Sequence, residues 1–102
     1  MQVPQSELDA DFAQAVGRVS SSQSRPGAPR IGTEVQEVLY VLYKQACFGD
    51  NVASRPFGMF SPRKLRKWEA WNRFRGVSVD DAKKRYIHVA ATVAPAAYGA
   101  LQ

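Results

Sequence analysis

Tyr40 and Lys44 stand four residues apart, a spacing that puts a phenol and an ammonium on one face of a helix. Tyrosine offers a neutral hydroxyl and a flat ring, and lysine offers a point charge with three donors, so the pair suits a phosphorylated nucleotide. Taken alone, it is more simply the edge of an amphipathic helix, with the lysine solvated. A second stretch adds weight. Arg63-Lys64-Leu65-Arg66-Lys67-Trp68-Glu69-Ala70-Trp71 interleaves cations with rings, a combination that can stack on an adenine or on the bases of a nucleic acid. At least one of the two tryptophans is expected in the core, because so large a ring is seldom left in water.

The charge is distributed to match. The formal net charge is +5, and ten of the fourteen basic residues fall between Arg55 and Arg85 against Glu69, Asp80 and Asp81. One half of the molecule therefore attracts anions, whether nucleotide, nucleic acid or lipid head group. With 102 residues, 45% of them hydrophobic and 23% charged, the composition is that of one folded domain spanning 1–102. Cys47 is the single cysteine, so an intrachain disulfide and a cysteine-based zinc site are excluded and a cytoplasmic location is expected. The start of the chain carries Glu7, Asp9 and Asp11 with no apolar run, unlike a secretory signal. The most apolar stretch, Val89 to Leu101, is broken by Pro95 and Gly99 and is shorter than the ~20 residues of a membrane span.

Four helices must position these residues. Ser6 with Asp9 has the form of a capping pair, and Leu8, Phe12, Ala15, Val16 and Val19 recur at helical spacing, predicting a first helix that ends near Val19. Ser20 to Gly32, with four serines, two prolines and two glycines, reads as a loop. Thr33 and Gln36 then form a capping box ahead of the stripe Val35, Val38, Leu39, Leu42, Tyr43 and Ala46. Gly49 to Pro62 is a second irregular segment. Ser61 as N-cap, Pro62 at the first helical position and Gly76 as a stop predict a third helix over 62–75. Ser78 caps a fourth helix that ends before Pro95, with Asp80 and Asp81 in its first turn. No strand-like alternation competes, and the fold class is all-α.

Taken in order, the segments Tyr40-Val-Leu-Tyr43-Lys44-Gln45-Ala46, Gly49-Asp50, Arg55-Pro56, Gly58-Met59, Lys67-Trp68-Glu69-Ala70-Trp71-Asn72, Gly76, Ala82 and Tyr86-Ile87 resemble the acyl-CoA-binding protein family. The resemblance is strongest over 38–87. It implies a four-helix up-down-down-up bundle that binds medium- to long-chain fatty acyl-CoA as a carrier and pool former, a monomer without catalysis. It further implies that Tyr40, Lys44 and Lys67 hold the ribose phosphate and nucleotide, and that Tyr43 and Tyr86 line the bowl beside adenine and pantetheine. The acyl chain would run between the second and third helices. The chain departs from the family pattern at Phe57, an extra residue, and in its long linker. Ser20 stands where the family carries a basic residue, a role that Arg18 or Arg30 could take, and the alanine-rich end Ala90 to Gln102 has no assigned role.

No catalytic group can be named. His88 has no metal-spaced companions and reads as a surface or packing residue, Cys47 reads as a small buried hydrophobe, and the adjacent Asp80 and Asp81 do not face a common atom. No metal, no cofactor, no nucleic acid and no stable membrane insertion are expected beside the acyl-CoA ligand. A basic helical domain that binds nucleic acid through Arg63 to Arg75 is the main alternative, and it would show a steep salt dependence. An enzyme acting on acyl thioesters is a third reading, which lacks an activated nucleophile.

Overall fold

Four helices account for the regular structure in a computed structural model that describes residues 5–27, 30–57, 59 and 61–94. They are α1 (Gln5–Ser24), α2 (Thr33–Phe48), α3 (Pro62–Asn72) and α4 (Val79–Val93). The expected tail beyond Ala94, and Gly58 of the Gly-Met pair, lie outside the described residues.

Two helix ends differ from expectation. α1 runs on through Ser20–Ser24, because extending an existing helix needs only one more residue fixed per bond, and the Ser24 hydroxyl donates back to the Ser20 carbonyl at 2.6 Å. Ser6, expected as a cap, is the second described residue of this helix, and the positions before Gln5 lie outside the described residues. α3 stops at Asn72 rather than Arg75, since the chain tightens into i→i+3 bonds from Phe74 to Trp71 and from Arg75 to Asn72. Thr33 begins α2 but does not cap it: the cap is Gly32, and the Gln36 amide donates to the Ile31 carbonyl instead. Ser61 and Pro62 start α3 as expected, although the serine side chain makes no cap bond. Ser78 does cap α4, accepting from the Asp81 N–H at 3.0 Å.

Residue pairs give the helix directions. Arg66 bonds Glu37, Lys67 lies over Tyr40, and Trp71 bonds Gln45, so numbers rise together and α2 and α3 run parallel. Gln45 reaches Val77 just before α4, whereas Val38 shares a cleft with His88 and Val89 near its far end, so α2 and α4 run antiparallel. Gln5 with Asp80, Asp9 with Lys83 and Phe12 with Tyr86 make α1 parallel to α4. The bundle is up-down-down-up. α4 packs on α1 and α2, and α3 packs on α2.

The core lies where α1, α2 and α4 meet, built from Phe12, Ala15, Leu39, Leu42, Ala82 and Tyr86 among others. On α2 the buried face is wider than the expected stripe and turned from it: Val41 and Gln45 are inside, and Val38 and Tyr43 reach solvent. A helix with one neighbour on each side must bury two faces. Gln45, fully buried, occupies the second. Its Nε2 donates to Asp50 Oδ1 at 2.9 Å and to the Val77 carbonyl at 2.8 Å, and its Oε1 accepts from Trp71 Nε1 at 3.0 Å. Asp50 also accepts from the Gly76 N–H at 2.8 Å, a contact that a φ of 94° at this glycine allows.

The parallel pairing obliges 49–61 to return along α3. Buried Asn51 anchors it, donating to the Trp68 carbonyl and accepting from Ala53 N–H, while Arg75 donates to the Asn51 carbonyl. Trp68 Nε1 donates to Ala53, and Arg55 pairs with Glu69 at 3.0 Å. The extra residue Phe57 is accommodated by pointing outward.

Replacing Gln45 by Ala leaves the Val77 carbonyl and the Asp50 carboxylate short of a donor and opens a cavity, and it should cost about 2–4 kcal/mol in urea unfolding. The Gly76 N–H and then the Gln45 amide hold the Asp50 carboxyl below its ordinary 3.8, against burial, which raises it, and with a lesser contribution from the Arg75 charge. A carboxyl lowered in the folded state stabilises fully above the unfolded pKa, and that stability is lost as pH falls through the folded value. Asp50→Asn should therefore flatten the loss of stability below pH 3.8, measured as midpoint against pH.

Candidate functional site

Tyr40, Tyr43 and Lys44 leave α2 on the side between α1 and α3, because Gln45, Leu42 and Val41 are committed to the interior. Lys67 leaves α3 one turn before Trp71. The two lysines converge. Lys67 Nζ lies 5.2 Å and Lys44 Nζ 6.0 Å from the centre of the Tyr40 ring. Lys44 also stands 4.7 Å from the Phe48 ring and 5.1 Å from that of Trp71. Each such contact supplies about 0.5–1 kcal/mol at an exposed position, enough to aim an ammonium without neutralising it. Neither lysine has a carboxylate partner among the described residues, whereas Arg55, Arg66 and Lys83 are each paired with one.

Two clefts meet at this point. One, of about 470 Å³, lies between α1 and α2 and is lined by Val19, Leu39, Tyr40, Tyr43 and Tyr86, with Arg30 and Gln23 at its polar side. The other, of about 430 Å³, lies between α2 and α3 and is lined by Thr33, Glu37, Arg63, Arg66 and Lys67. Gln36 and Tyr40 line both. Tyr86 comes from α4, at 4% exposure, held edge-on by Phe12 with ring centres 5.2 Å apart. Tyr43 is more open, stacked on Phe12 at 6.2 Å.

The structure thus brings Tyr40, Lys44 and Lys67 to one point and Tyr40, Tyr43 and Tyr86 to one cleft. Gln36 was not foreseen, although its i, i+4 relation to Tyr40 was visible. Arg30 lines the cleft, whereas the Arg18 Nε is buried without a hydrogen-bond partner. Trp68 and Trp71 are half-buried and tie α3 to the returning segment and to α2. Cys47, expected inside, is exposed on the turn after Tyr43. His88 is exposed, as expected, and among the described residues no group of three or more His, Cys, Asp or Glu could hold a metal ion. No described helix is long and apolar enough to cross a membrane.

The family model for "Acyl CoA binding protein" matches residues 9–90. The chain belongs to the acyl-CoA-binding protein family. It is 39% identical over 82 residues to the acyl-CoA-binding protein of Saccharomyces cerevisiae, covering 80% of this chain and 84% of that protein. It is 39% identical over 87 residues to autophagy-related protein 37 of Komagataella phaffii, of which it spans 21%. Among solved structures, Oryza sativa acyl-CoA-binding protein 2 superposes with a TM-score of 0.71 at 29% identity, covering 90% of this chain and 96% of that one. The family consists of binding proteins, and membership favours an acyl-CoA ligand over the nucleic-acid alternative.

The tyrosines of the bowl give a direct test of its geometry. Charge on the neighbouring Cys47 sulfur, then a hydrogen bond to it, then burial raise the Tyr43 phenol above its ordinary 10.0. For Tyr86 burial comes first, followed by charge on Tyr43 and Cys47. Cys47→Ala should return Tyr43 most of the way to 10.0 and leave Tyr86 raised, read by residue-resolved NMR titration of the tyrosine rings.

Proposed function

We propose that this chain binds medium- to long-chain fatty acyl-CoA esters as a cytosolic carrier and pool former, without catalysis, through one domain. In this reading Tyr40, Lys44 and Lys67 hold the phosphorylated nucleotide end, and Tyr43 and Tyr86 wall the bowl beside the rest of the head group. The observation that carries it is the convergence of two ammonium groups, without a carboxylate partner among the described residues and from two parallel helices, on a tyrosine ring shared by two clefts. A polyanionic head needs fixed cations that are not already neutralised, and charge-assisted hydrogen bonds to phosphate are the strong ones. An acyl tail then gains about 0.8 kcal/mol for each methylene removed from water, so affinity follows tail length until the groove is full.

Calorimetric titration with free CoA and with esters of increasing length tests this reading. Affinity should rise by up to about fourfold per methylene and then level off, and free CoA should bind far more weakly than the long esters. Lys44→Ala should weaken esters that carry the ribose phosphate much more than dephospho-CoA esters, since the counter-charge is missing in the latter. Equal affinity for free CoA and its long-chain ester would refute the tail groove, and an equal loss for both ester types would remove Lys44 from the phosphate.

A further inference from the structure

A third cleft, of about 420 Å³, opens where α2, α4 and the turn after α3 meet. Its apolar floor is made by Val38, Leu42, Phe74 and Val89, and among the described residues it shares no lining residue with the two clefts of the bowl. The helix period explains the separation. Val38 and Leu42 each stand two residues from Tyr40, a rotation of about 200° that turns them to the other side of α2. Val38 is left 41% exposed there. Phe74 is fixed at one wall by the tightened turn, its N–H donating to the Trp71 carbonyl at 2.9 Å and its carbonyl accepting from Val77 N–H at 3.0 Å. A single exposed apolar side chain is ordinary, but a cleft floored by four from three elements is not.

The rim of this cleft is basic. α4 spends Ala82, Tyr86 and Ala90 on the core, which leaves Lys84, Arg85 and His88 exposed along its outer side, and all three line the cleft. Lys83 is engaged by Asp9, whereas among the described residues Lys84 and Arg85 have no carboxylate partner. The acids one turn away, Asp81 on α4 and Glu34 on α2, do not line the cleft. An apolar floor beside cations that nothing neutralises complements an amphipathic acidic helix, whose apolar residues at i, i+3 and i+4 fill the floor while flanking carboxylates meet the rim. A nucleic acid would satisfy the cations and leave the floor empty. A second copy of this chain, at a net charge of +5, would bring like charge to the rim.

We propose that the cleft between α2 and α4 docks a partner protein through an acidic amphipathic helix, with Val38, Leu42, Phe74 and Val89 taking its apolar residues and Lys84 and Arg85 its carboxylates. Because this cleft and the bowl share no lining residue among the described residues, both can be filled at once. That a partner held there receives the acyl-CoA rests on the carrier reading above; the docking itself does not.

Two synthetic peptides of about 16 residues test it, each with leucine at i, i+3, i+4 and i+7 of one helical face, the first with glutamate on its other positions and the second with lysine. The full chain should bind the glutamate peptide at least about tenfold more tightly than the lysine peptide, with the largest amide shifts in NMR spectra at Val38, Leu42 and Val89. Lys84→Glu/Arg85→Glu should reverse that preference, and Val38→Ser should weaken the glutamate peptide at least about threefold, both with unchanged circular dichroism. Equal affinity for the two peptides, shifts confined to the bowl, an unreversed preference in the double variant, parent-like binding by Val38→Ser, or tighter binding to a DNA duplex than to the glutamate peptide would each overturn the proposal. Saturation with a long-chain acyl-CoA should leave the peptide affinity unchanged within about twofold, and displacement of the peptide by that ligand would place it in the bowl and overturn the proposal as well. A parent chain that binds the peptide at the cleft but no acyl-CoA would overturn the carrier reading and leave the docking cleft standing.

Discussion

Gln45 carries an amide into the interior of α2, where water cannot reach it, and everything around the bowl is arranged to satisfy that amide. Its three bonds end on Asp50, Val77 and Trp71, which belong to the returning segment, the entry to α4 and the end of α3. A buried polar group left unpaired costs about 1–3 kcal/mol, so these three parts of the chain cannot shift independently. The network also sets the rotation of α2. With Gln45 turned inward, Lys44 is directed toward Trp71 and Phe48, and Tyr40 toward Lys67. An interaction that is purely structural thereby aims the cations of the site.

The charged residues divide along the same line. Lys83 with Asp9, Arg66 with Glu37 and Arg55 with Glu69 join one element to another, and each cation is balanced within the protein. Exposed pairs of this kind contribute little stability, about 0–1 kcal/mol each, but they restrict where the partners point. Lys44 and Lys67 rest instead on aromatic faces, which orient an ammonium while leaving its donors free.

Much of this was legible in the sequence where periodicity and caps agree. Ser78 with Asp81, Pro62 after Ser61 and the stop ahead of Pro95 fixed helix ends to within a residue, and the family resemblance supplied the packing order. The end of α1 was not legible, because Ser20–Ser24 has no apolar period and forms helix only by continuing the preceding turns. Gln45 was equally hidden. Apolar spacing identifies one buried face, and nothing in a glutamine signals that a second neighbour will cover it. The site was read through its residue types, Tyr40, Lys44 and Lys67, whereas Gln36 and Arg30 enter it only through the way α1, α2 and their linker are brought together.

The parallel course of α2 and α3 has an electrostatic consequence. Every α-helix carries roughly half a positive charge at its N-terminus, and antiparallel neighbours cancel these ends pairwise. Here both positive ends sit at one rim. α2 answers with Glu34 in its first turn, but α3 has no acid there and begins Pro62-Arg63-Lys64, placing like charge on a like dipole. The first turn of α3 is therefore held under an electrostatic tension that, among the described residues, only the Arg66–Glu37 pair offsets. A polyanion seated there would relieve it, so that occupancy of the bowl and the firmness of the first turn of α3 would rise and fall together, and added salt would weaken the attraction and ease the tension in the same step.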